Sequence, residues 1–278
     1  MKAIITITTL FLFSFQASSE NYLIEDVEFR SHGDLLSGSI VFPESKKIDS
    51  AVVFVHGSGK QTRNIQLAKR FASAGIAALV YDKRGAGRSG GEYESNQSVS
   101  EKNINLLAED SLAALNALYK NPKTRELPLG LTGISQAGWI VPLAAEKSSR
   151  VSFIVLWSGP VCKVSEEDIY SKYTADLDSK KVPAYDEALK SRRQRYIWPD
   201  FLGKDTDPSE SLEKLHIPAL WIFGEKDGSI PVDLSIQRLK NHIDSGHQYE
   251  YVLFSGLGHN NMPETFALAI DWISRLTK

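Results

Sequence analysis

Gly133-Ile134-Ser135-Gln136-Ala137-Gly138 joins an apolar run at 127–132, which predicts a strand, to a mainly apolar run at 139–147, which predicts a helix. A serine at such a junction lies on a sharp turn that lifts its hydroxyl clear of the backbone. Small neighbours let the turn close, because larger side chains would collide with the adjoining strand and helix. The stretch departs from the pattern Gly-x-Ser-x-Gly only at Ala137, which is nearly as small as glycine. The sequence therefore predicts Ser135 as a nucleophile.

A serine nucleophile needs a base that removes its proton and an acid that orients the base. Of the six histidines, only His259 lies in a tight turn directly beyond a strand-like run, at 249–254. Asp227 lies in a similar position beyond the apolar run at 219–223. Either residue alone would be an ordinary polar loop residue, as in the Asp-Gly turns between strands. Because α/β sheets present their ligands at strand ends, we predict His259 as the general base and Asp227 as its acid.

A glycine-rich loop indicates where negative charge would be stabilised during the reaction. His56-Gly57-Ser58-Gly59 follows the apolar run at 51–55, which predicts another buried strand. A backbone N–H in such a loop can donate to an oxyanion, and the residue after the nucleophile supplies a second donor. We predict the backbone N–H groups of Ser58 and Gln136 as these donors. His56 is predicted to hold the loop in place rather than to act as a second base.

Together these motifs resemble a known superfamily. The chain is similar to serine hydrolases of the α/β-hydrolase superfamily, in which nucleophile, acid and base follow one another in this order. The matching stretches lie between residues 56 and 259: His56-Gly57-Ser58-Gly59, Asp82-x-Arg84-Gly85-x-Gly87-x-Ser89, Gly133-x-Ser135-x-Ala137-Gly138, Gly224-x-x-Asp227 and Gly258-His259. The Ser-Gln-x-Gly form of the turn resembles bacterial esterase-like and serine-peptidase-like members. Related dienelactone-type hydrolases have a cysteine nucleophile, so Ser135 argues against that branch.

The resemblance and the alternation of strand and helix patterns predict the same architecture. We expect an α/β-hydrolase fold, of class α/β, with a mostly parallel central sheet, helices on both faces and a small helical cap. Alternating patterns at 24–30 and 35–42 predict an antiparallel hairpin at one edge of the sheet. The regular alternation breaks in a charged, aromatic stretch that we predict to be the cap, at 160–212. The core would then comprise 20–159 and 213–278.

The N-terminal segment predicts a signal peptide spanning residues 1–19. Lys2 precedes an uncharged, mainly apolar run at 3–15 that is too short to span a membrane, and Ala17-Ser18-Ser19 offers small residues for cleavage. We therefore expect a secreted or periplasmic protein without stable membrane insertion after cleavage. An uncleaved membrane anchor is the alternative.

Composition and spacing give no reason to expect a cofactor, a metal or a nucleic acid partner. The net charge of −2 offers no general electrostatic attraction for nucleic acid. Gly85-Ala86-Gly87-Arg88-Ser89-Gly90 fits the dinucleotide pattern Gly-x-Gly-x-x-Gly, but residues 91–96 continue as a loop instead of opening a helix. We therefore expect neither a nicotinamide nor a flavin site, and no clustered His, Cys or carboxylate spacing predicts a metal site.

The predicted function is that of a secreted serine hydrolase that cleaves carboxylic esters through a Ser-His-Asp triad and an acyl-enzyme intermediate. Its partner would be a small-molecule ester or a short peptide, and the oligomeric state is left open. Three alternatives stay open. The first is a serine peptidase or aminopeptidase with the same triad, and the second is an enzyme that transfers the acyl group to an acceptor other than water. The third is a non-catalytic binding protein with this fold.

Overall fold

One eight-stranded sheet forms the centre of the protein in the computed structural model, which describes residues 21–95, 98–192 and 196–277. Its strands are β1 Tyr22–Ser31, β2 Asp34–Pro43, β3 Ser50–Val55, β4 Ile76–Tyr81, β5 Leu129–Ile134, β6 Val151–Trp157, β7 Ala219–Gly224 and β8 Tyr249–Phe254. Their order in the sheet is β1-β2-β4-β3-β5-β6-β7-β8. β2 runs antiparallel to both β1 and β4, whereas β3 to β8 are parallel to one another. The predicted mostly parallel sheet with an antiparallel hairpin at one edge is confirmed.

Helices cover both faces of the sheet. They are α1 Ile65–Ser73, α2 Glu101–Lys120, α3 Ala137–Glu146, α4 Val164–Thr174, α5 Tyr185–Arg192, α6 Ser209–Leu212, α7 Val232–Asp244 and α8 Met262–Thr277. α1 and α8 pack on one face, against strand residues such as Val52 and Phe153. α2, α3 and α7 pack on the other face, against residues such as Val53 and Ile154. Because successive strand residues point to opposite faces, strands buried on both sides are apolar along their length.

The chain between β6 and β7 has short helices joined by loops, in the region where the sequence predicts a cap at 160–212. It contains α4, α5, α6 and a short 3₁₀ helix, Asp200–Leu202. α4 and α5 pack together around a small apolar cluster that includes Tyr170 and Ala188. The division of the chain into a core and a cap stays a prediction.

The predicted signal peptide at 1–19 lies outside the described residues. Across the part of the chain that is described, no helix combines the length and the hydrophobicity that are needed to cross a membrane.

Two elements differ from the sequence-based expectations. β5 ends at Ile134, two residues beyond the predicted strand at 127–132, so that Ser135 follows the strand directly. α7 was not predicted, although Val232, Ile236, Leu239 and Ile243 recur at helical spacing and pack against the core. Its start lacks a side-chain cap, so the N-cap signal of a helix is weak in this segment.

The loop after β4 is fixed by a buried ion pair. Arg84 donates to the two carboxylate oxygens of Asp110 in α2, at 3.0 and 2.5 Å. Asp110 is fully buried and Arg84 is nearly so, and Arg84 also pairs with Asp34 at the start of β2. Removing one partner of a buried pair leaves an uncompensated charge, which is strongly unfavourable. The pair therefore holds this loop in one position beside the sheet.

Candidate active site

Ser135 lies in a sharp turn between β5 and α3. Its φ angle of 55° is in the left-handed region, which is uncommon for residues other than glycine. Its backbone N–H donates to Trp157 O in the neighbouring strand at 3.0 Å, and Gly138 N–H donates to Ser135 O at 2.8 Å. A methyl group at Gly133 would overlap Ala137, and one at Gly138 would overlap the backbone that follows β6. The small residues around the serine are therefore required for the turn to close.

Asp227 and His259 contact each other beyond the ends of β7 and β8. His259 Nδ1 lies 2.9 and 3.0 Å from the two carboxylate oxygens of Asp227. Asp227 is fully buried, and it also accepts the backbone N–H groups of Ser229 at 2.9 Å and Ile230 at 3.1 Å. When Nδ1 donates to the carboxylate, the neutral imidazole presents Nε2 as an acceptor. That tautomer is the one a general base needs.

The charge state of His259 is set by opposing effects. Burial by itself would lower the pKa of the imidazole, but the hydrogen bond and charge of Asp227 raise that pKa above its ordinary value. The carboxylates of Asp178 and Asp176 add to the increase. Only the neutral ring can accept a proton, so its capacity as a base is lost as the pH falls through the raised pKa.

Ser135 lies at the same edge of the sheet as this pair, but no hydrogen bond joins its hydroxyl to the imidazole. Within the described residues, the Ser135 hydroxyl has no hydrogen-bond partner. The end of β6 connects the serine turn with His259. Trp157 O accepts the Ser135 N–H, and the hydroxyl of the next residue, Ser158, donates to His259 O at 2.8 Å. Hydrogen bonds between catalytic groups often tighten only in the substrate complex. Of the three predicted residues, His259 and Asp227 are thus hydrogen-bonded to each other, and the Ser135 hydroxyl is hydrogen-bonded to neither.

The glycine-rich loop after β3 lies against the serine turn. A methyl group at Gly57 would lie 3.4 Å from Ser135 Cβ and 3.1 Å from Ile134 O. In the described part of the chain, the backbone N–H groups of Ser58 and Gln136 donate to no protein acceptor. Gln136 also stands at the N-terminus of α3, where the helix dipole favours negative charge. Neither N–H group is therefore bound by another part of the described chain, as the predicted role of an oxyanion donor requires.

His56 holds this loop against the end of β4, because the one N–H of a neutral imidazole, on Nε2, donates to Tyr81 O. Nε2 lies 2.5 Å from Tyr81 O, and Nδ1 lies 3.3 Å from Gln61 Oε1. Gln61 in turn donates to Ser58 O at 2.5 Å. Burial lowers the pKa of His56 below its ordinary value, so the ring is neutral near pH 7. The single N–H of the neutral ring is therefore used to bind the end of β4.

Asp178 is a site residue that the sequence-based reasoning missed. It lies between α4 and α5, and its carboxylate accepts the backbone N–H of Gly228 at 3.1 Å and that of His259 at 3.1–3.2 Å. A methyl group at Gly228 would overlap the backbone of Leu177, and one at Gly258 would overlap Asp178 itself. The segment between α4 and α5 thus fits onto glycines next to Asp227 and His259. The signal in the sequence is these two glycines, since glycine often marks a close backbone approach.

Comparisons with known proteins identify related sequences. The model of the family described as serine aminopeptidase, S33 (Hydrolase_4), matches residues 46–197. A curated relative, the uncharacterized peptidase YtmA of Bacillus subtilis (strain 168), is 21% identical over 224 residues, which represent 80% of each chain.

Solved structures share the fold. Acylaminoacyl peptidase from Pyrococcus horikoshii has a TM-score of 0.68 at 19% identity, over 92% of this chain and 42% of that one. The Pyrococcus furiosus esterase Pf2001 has a TM-score of 0.67 at 18% identity, over 97% of this chain and 96% of the esterase. The α/β hydrolase GrgF from Penicillium sp. sh18 has a TM-score of 0.65 at 19% identity, over 92% and 99%. The chain spans less than half the length of the acylaminoacyl peptidase. These similarities confirm the predicted α/β-hydrolase fold.

The contact between Asp178 and the two loops predicts a difference between two glycine substitutions. Gly228→Ala should displace Leu177 and Asp178 from the acid loop, whereas a methyl group at Gly256 meets only open space. Because a misplacement of about 1 Å can cost about 10²-fold in rate, Gly228→Ala should slow the labelling of Ser135 by a fluorophosphonate about 10-fold or more. Gly256→Ala should label at the wild-type rate. Equal labelling rates for the two variants would contradict the positioning role of this segment.

Proposed function

Since the chain belongs to the serine aminopeptidase S33 family, we propose that it is a serine hydrolase that uses Ser135, His259 and Asp227 to cleave carboxylic esters of modest size. The observation that carries the proposal is the 2.9 Å contact between His259 Nδ1 and the fully buried carboxylate of Asp227. Such a pair supplies an oriented base, which a serine hydroxyl needs to become a nucleophile. The left-handed turn at Ser135 holds the hydroxyl at the same edge of the sheet.

In this mechanism, His259 Nε2 takes the proton of the Ser135 hydroxyl while the serine oxygen attacks the ester carbonyl. Asp227 keeps the imidazole in the required tautomer and stabilises the imidazolium that forms. The backbone N–H groups of Ser58 and Gln136 bind the tetrahedral oxyanion, and each such donor contributes on the order of 10²–10³ in rate. His259 then protonates the leaving alcohol. Water repeats the cycle on the acyl-enzyme and releases the acid.

Esters are proposed ahead of peptides because of the lengths over which the two solved structures match. The similarity to esterase Pf2001 extends over 96% of that protein, whereas the acylaminoacyl peptidase is matched over 42% of its length.

The second candidate is amide cleavage, as a peptidase or aminopeptidase. It is favoured by the description of the family and by the curated relative YtmA. The same triad serves both reactions, so the substrate decides between them.

We also propose that a signal peptide at 1–19 directs the protein out of the cytoplasm, on the basis of the apolar run at 3–15 and the small residues that follow it. N-terminal sequencing of the mature protein tests this location. A mature chain that begins at Glu20 would support it, and one that retains residues 1–19 would contradict it.

Replacing Ser135 by alanine tests the catalytic assignment. Ser135→Ala should lower kcat/KM for p-nitrophenyl acetate by about 10⁴-fold or more, because the nucleophile of the triad is lost. The circular dichroism spectrum should not change, since no hydrogen bond of the hydroxyl is removed. Ser255→Ala, at an exposed position ahead of His259, is the matched control and should keep wild-type activity. Persistent labelling of Ser135→Ala by a fluorophosphonate would overturn the assignment.

Two substrates distinguish the candidate functions in the same assay. Turnover of p-nitrophenyl acetate without turnover of an aminoacyl-nitroanilide supports the esterase. Efficient turnover of the anilide supports the peptidase instead. A folded wild-type protein that neither turns over substrate nor labels at Ser135 would favour the non-catalytic binding protein.

A further inference from the structure

Lys83 is a buried cation in the loop after β4. The residue is 3% exposed, and its Nζ donates to Gly57 O at 2.7 Å and to Gln136 Oε1 at 2.9 Å. No carboxylate within the described ranges pairs with it, and the adjacent Asp82 is bound by Arg63 instead. A buried charge normally has an ion partner, because leaving water is costly. Lys83 is thus a positive charge held beside the predicted oxyanion donors without a counterion.

The contact with Gly57 fixes the direction of the first predicted donor. The Gly57 carbonyl and the Ser58 N–H belong to one peptide unit, which is planar and trans, so the two groups point in opposite directions. An ammonium bound to the carbonyl therefore determines where the Ser58 N–H points. The ammonium also draws electron density toward the carbonyl oxygen, which makes the N–H a stronger donor.

The contact with Gln136 fixes the second predicted donor. The side-chain amide of Gln136 is anchored at both ends, since Oε1 accepts from Lys83 and Nε2 donates to Ser98 O at 2.7 Å. Gln136 is fully buried, and its backbone N–H directly follows Ser135. An immobilised side chain limits the movement of the backbone that carries it. One ammonium therefore contacts both segments that supply the predicted donors.

We propose that Lys83 is the positioning residue of the oxyanion hole: it aligns the N–H groups of Ser58 and Gln136, and its charge stabilises the oxyanion through them. This inference rests on the proposed function, in which Ser135 is the nucleophile. The uncompensated cation destabilises the free enzyme, and the negative charge that develops in the transition state offsets that cost. Interactions that strengthen only in the transition state raise kcat and leave KM largely unchanged. Both acylation and deacylation pass through an oxyanion, so both steps depend on Lys83.

The charge of Lys83 makes the proposal testable by pH. Burial lowers the pKa of Lys83 to about 8. The groups that face it are the neutral ring of His56, the ring of Tyr93 at 6.0 Å from Nζ, and Asp82, whose carboxylate is bound by an arginine. The ammonium is present below the pKa of Lys83 and is lost as the pH rises through it. We therefore expect kcat to fall on the alkaline side, separately from the acidic loss of activity that His259 causes.

The experiment compares Lys83→Met, Lys83→Gln and Lys83→Arg with the wild type and with Lys120→Met, an exposed control at the end of α2. Rates are normalised to the fraction of Ser135 that a fluorophosphonate labels, and folding is checked by circular dichroism. Lys83→Met and Lys83→Gln should lose about 10²-fold in kcat at neutral pH with little change in KM. Their residual activity should show no alkaline decrease near the pKa of Lys83. Lys120→Met should match the wild type.

Lys83→Arg keeps a charge that does not titrate in this range, so it should retain activity at alkaline pH where the wild type loses it. If the neutral variants do not fold, the role of Lys83 is tested by comparing the pH dependence of kcat in the wild type and in Lys83→Arg. A wild type without an alkaline decrease, or neutral variants with unchanged kcat, would overturn the role of Lys83 while leaving the nucleophile in place. A wild type without turnover or labelling of Ser135 would overturn the proposed function, and the role of Lys83 with it.

Discussion

The left-handed backbone of Ser135 is the constraint on which the rest of the site depends. A φ of 55° in a residue other than glycine costs about 1–3 kcal/mol and persists only when the surrounding structure holds it. Here β5 and α3 hold it from both ends, and the Trp157 carbonyl of β6 binds its N–H. Gly133 and Gly138 leave the space that the turn needs. The order of the strands then brings the loops after β3 and β6 to either side of the serine, because both strands neighbour β5.

Charges and hydrogen bonds around this turn are arranged in two groups. On one side, Asp227 holds the imidazole of His259, while Ser158 and Asp178 bind the carbonyl and the N–H of the same histidine. These contacts fix the histidine through its ring and through its backbone. On the other side, Lys83 connects the loop after β3 with the residue that follows Ser135. Negative groups thus surround the predicted base, and a positive group lies behind the predicted oxyanion donors, as acyl transfer requires.

The sequence was informative where the determinants are local. The small residues around Ser135, the strand-like runs before Asp227 and His259 and the alternation of patterns each lie within a few residues of the feature that they predict. From them the α/β-hydrolase fold could be predicted, and it is confirmed. The roles of the individual site residues stay predictions, although His259 and Asp227 are in contact as those roles require.

What could not be predicted depends on contacts between distant parts of the chain. Asp178 binds the N–H groups of residues 50 and 81 positions away, and the partners of Lys83 are 26 and 53 positions away. The neighbouring sequence of Asp178 or Lys83 gives no sign of a role in the site, because an aspartate or a lysine in a loop is usually exposed to solvent. The fold itself turns these ordinary residues into parts of the site, by burying the lysine and by placing the aspartate over two glycines.

A crystal structure of the protein after reaction with a fluorophosphonate would show which residue is the nucleophile and which groups bind the oxyanion. The phosphonate mimics the tetrahedral intermediate, so its position reports both the nucleophile and the oxyanion donors. We predict phosphorus bonded to Ser135 Oγ, with one phosphoryl oxygen within hydrogen-bond distance of the backbone N–H groups of Ser58 and Gln136. Phosphorus on another residue, or a phosphoryl oxygen directed away from both N–H groups, would contradict it.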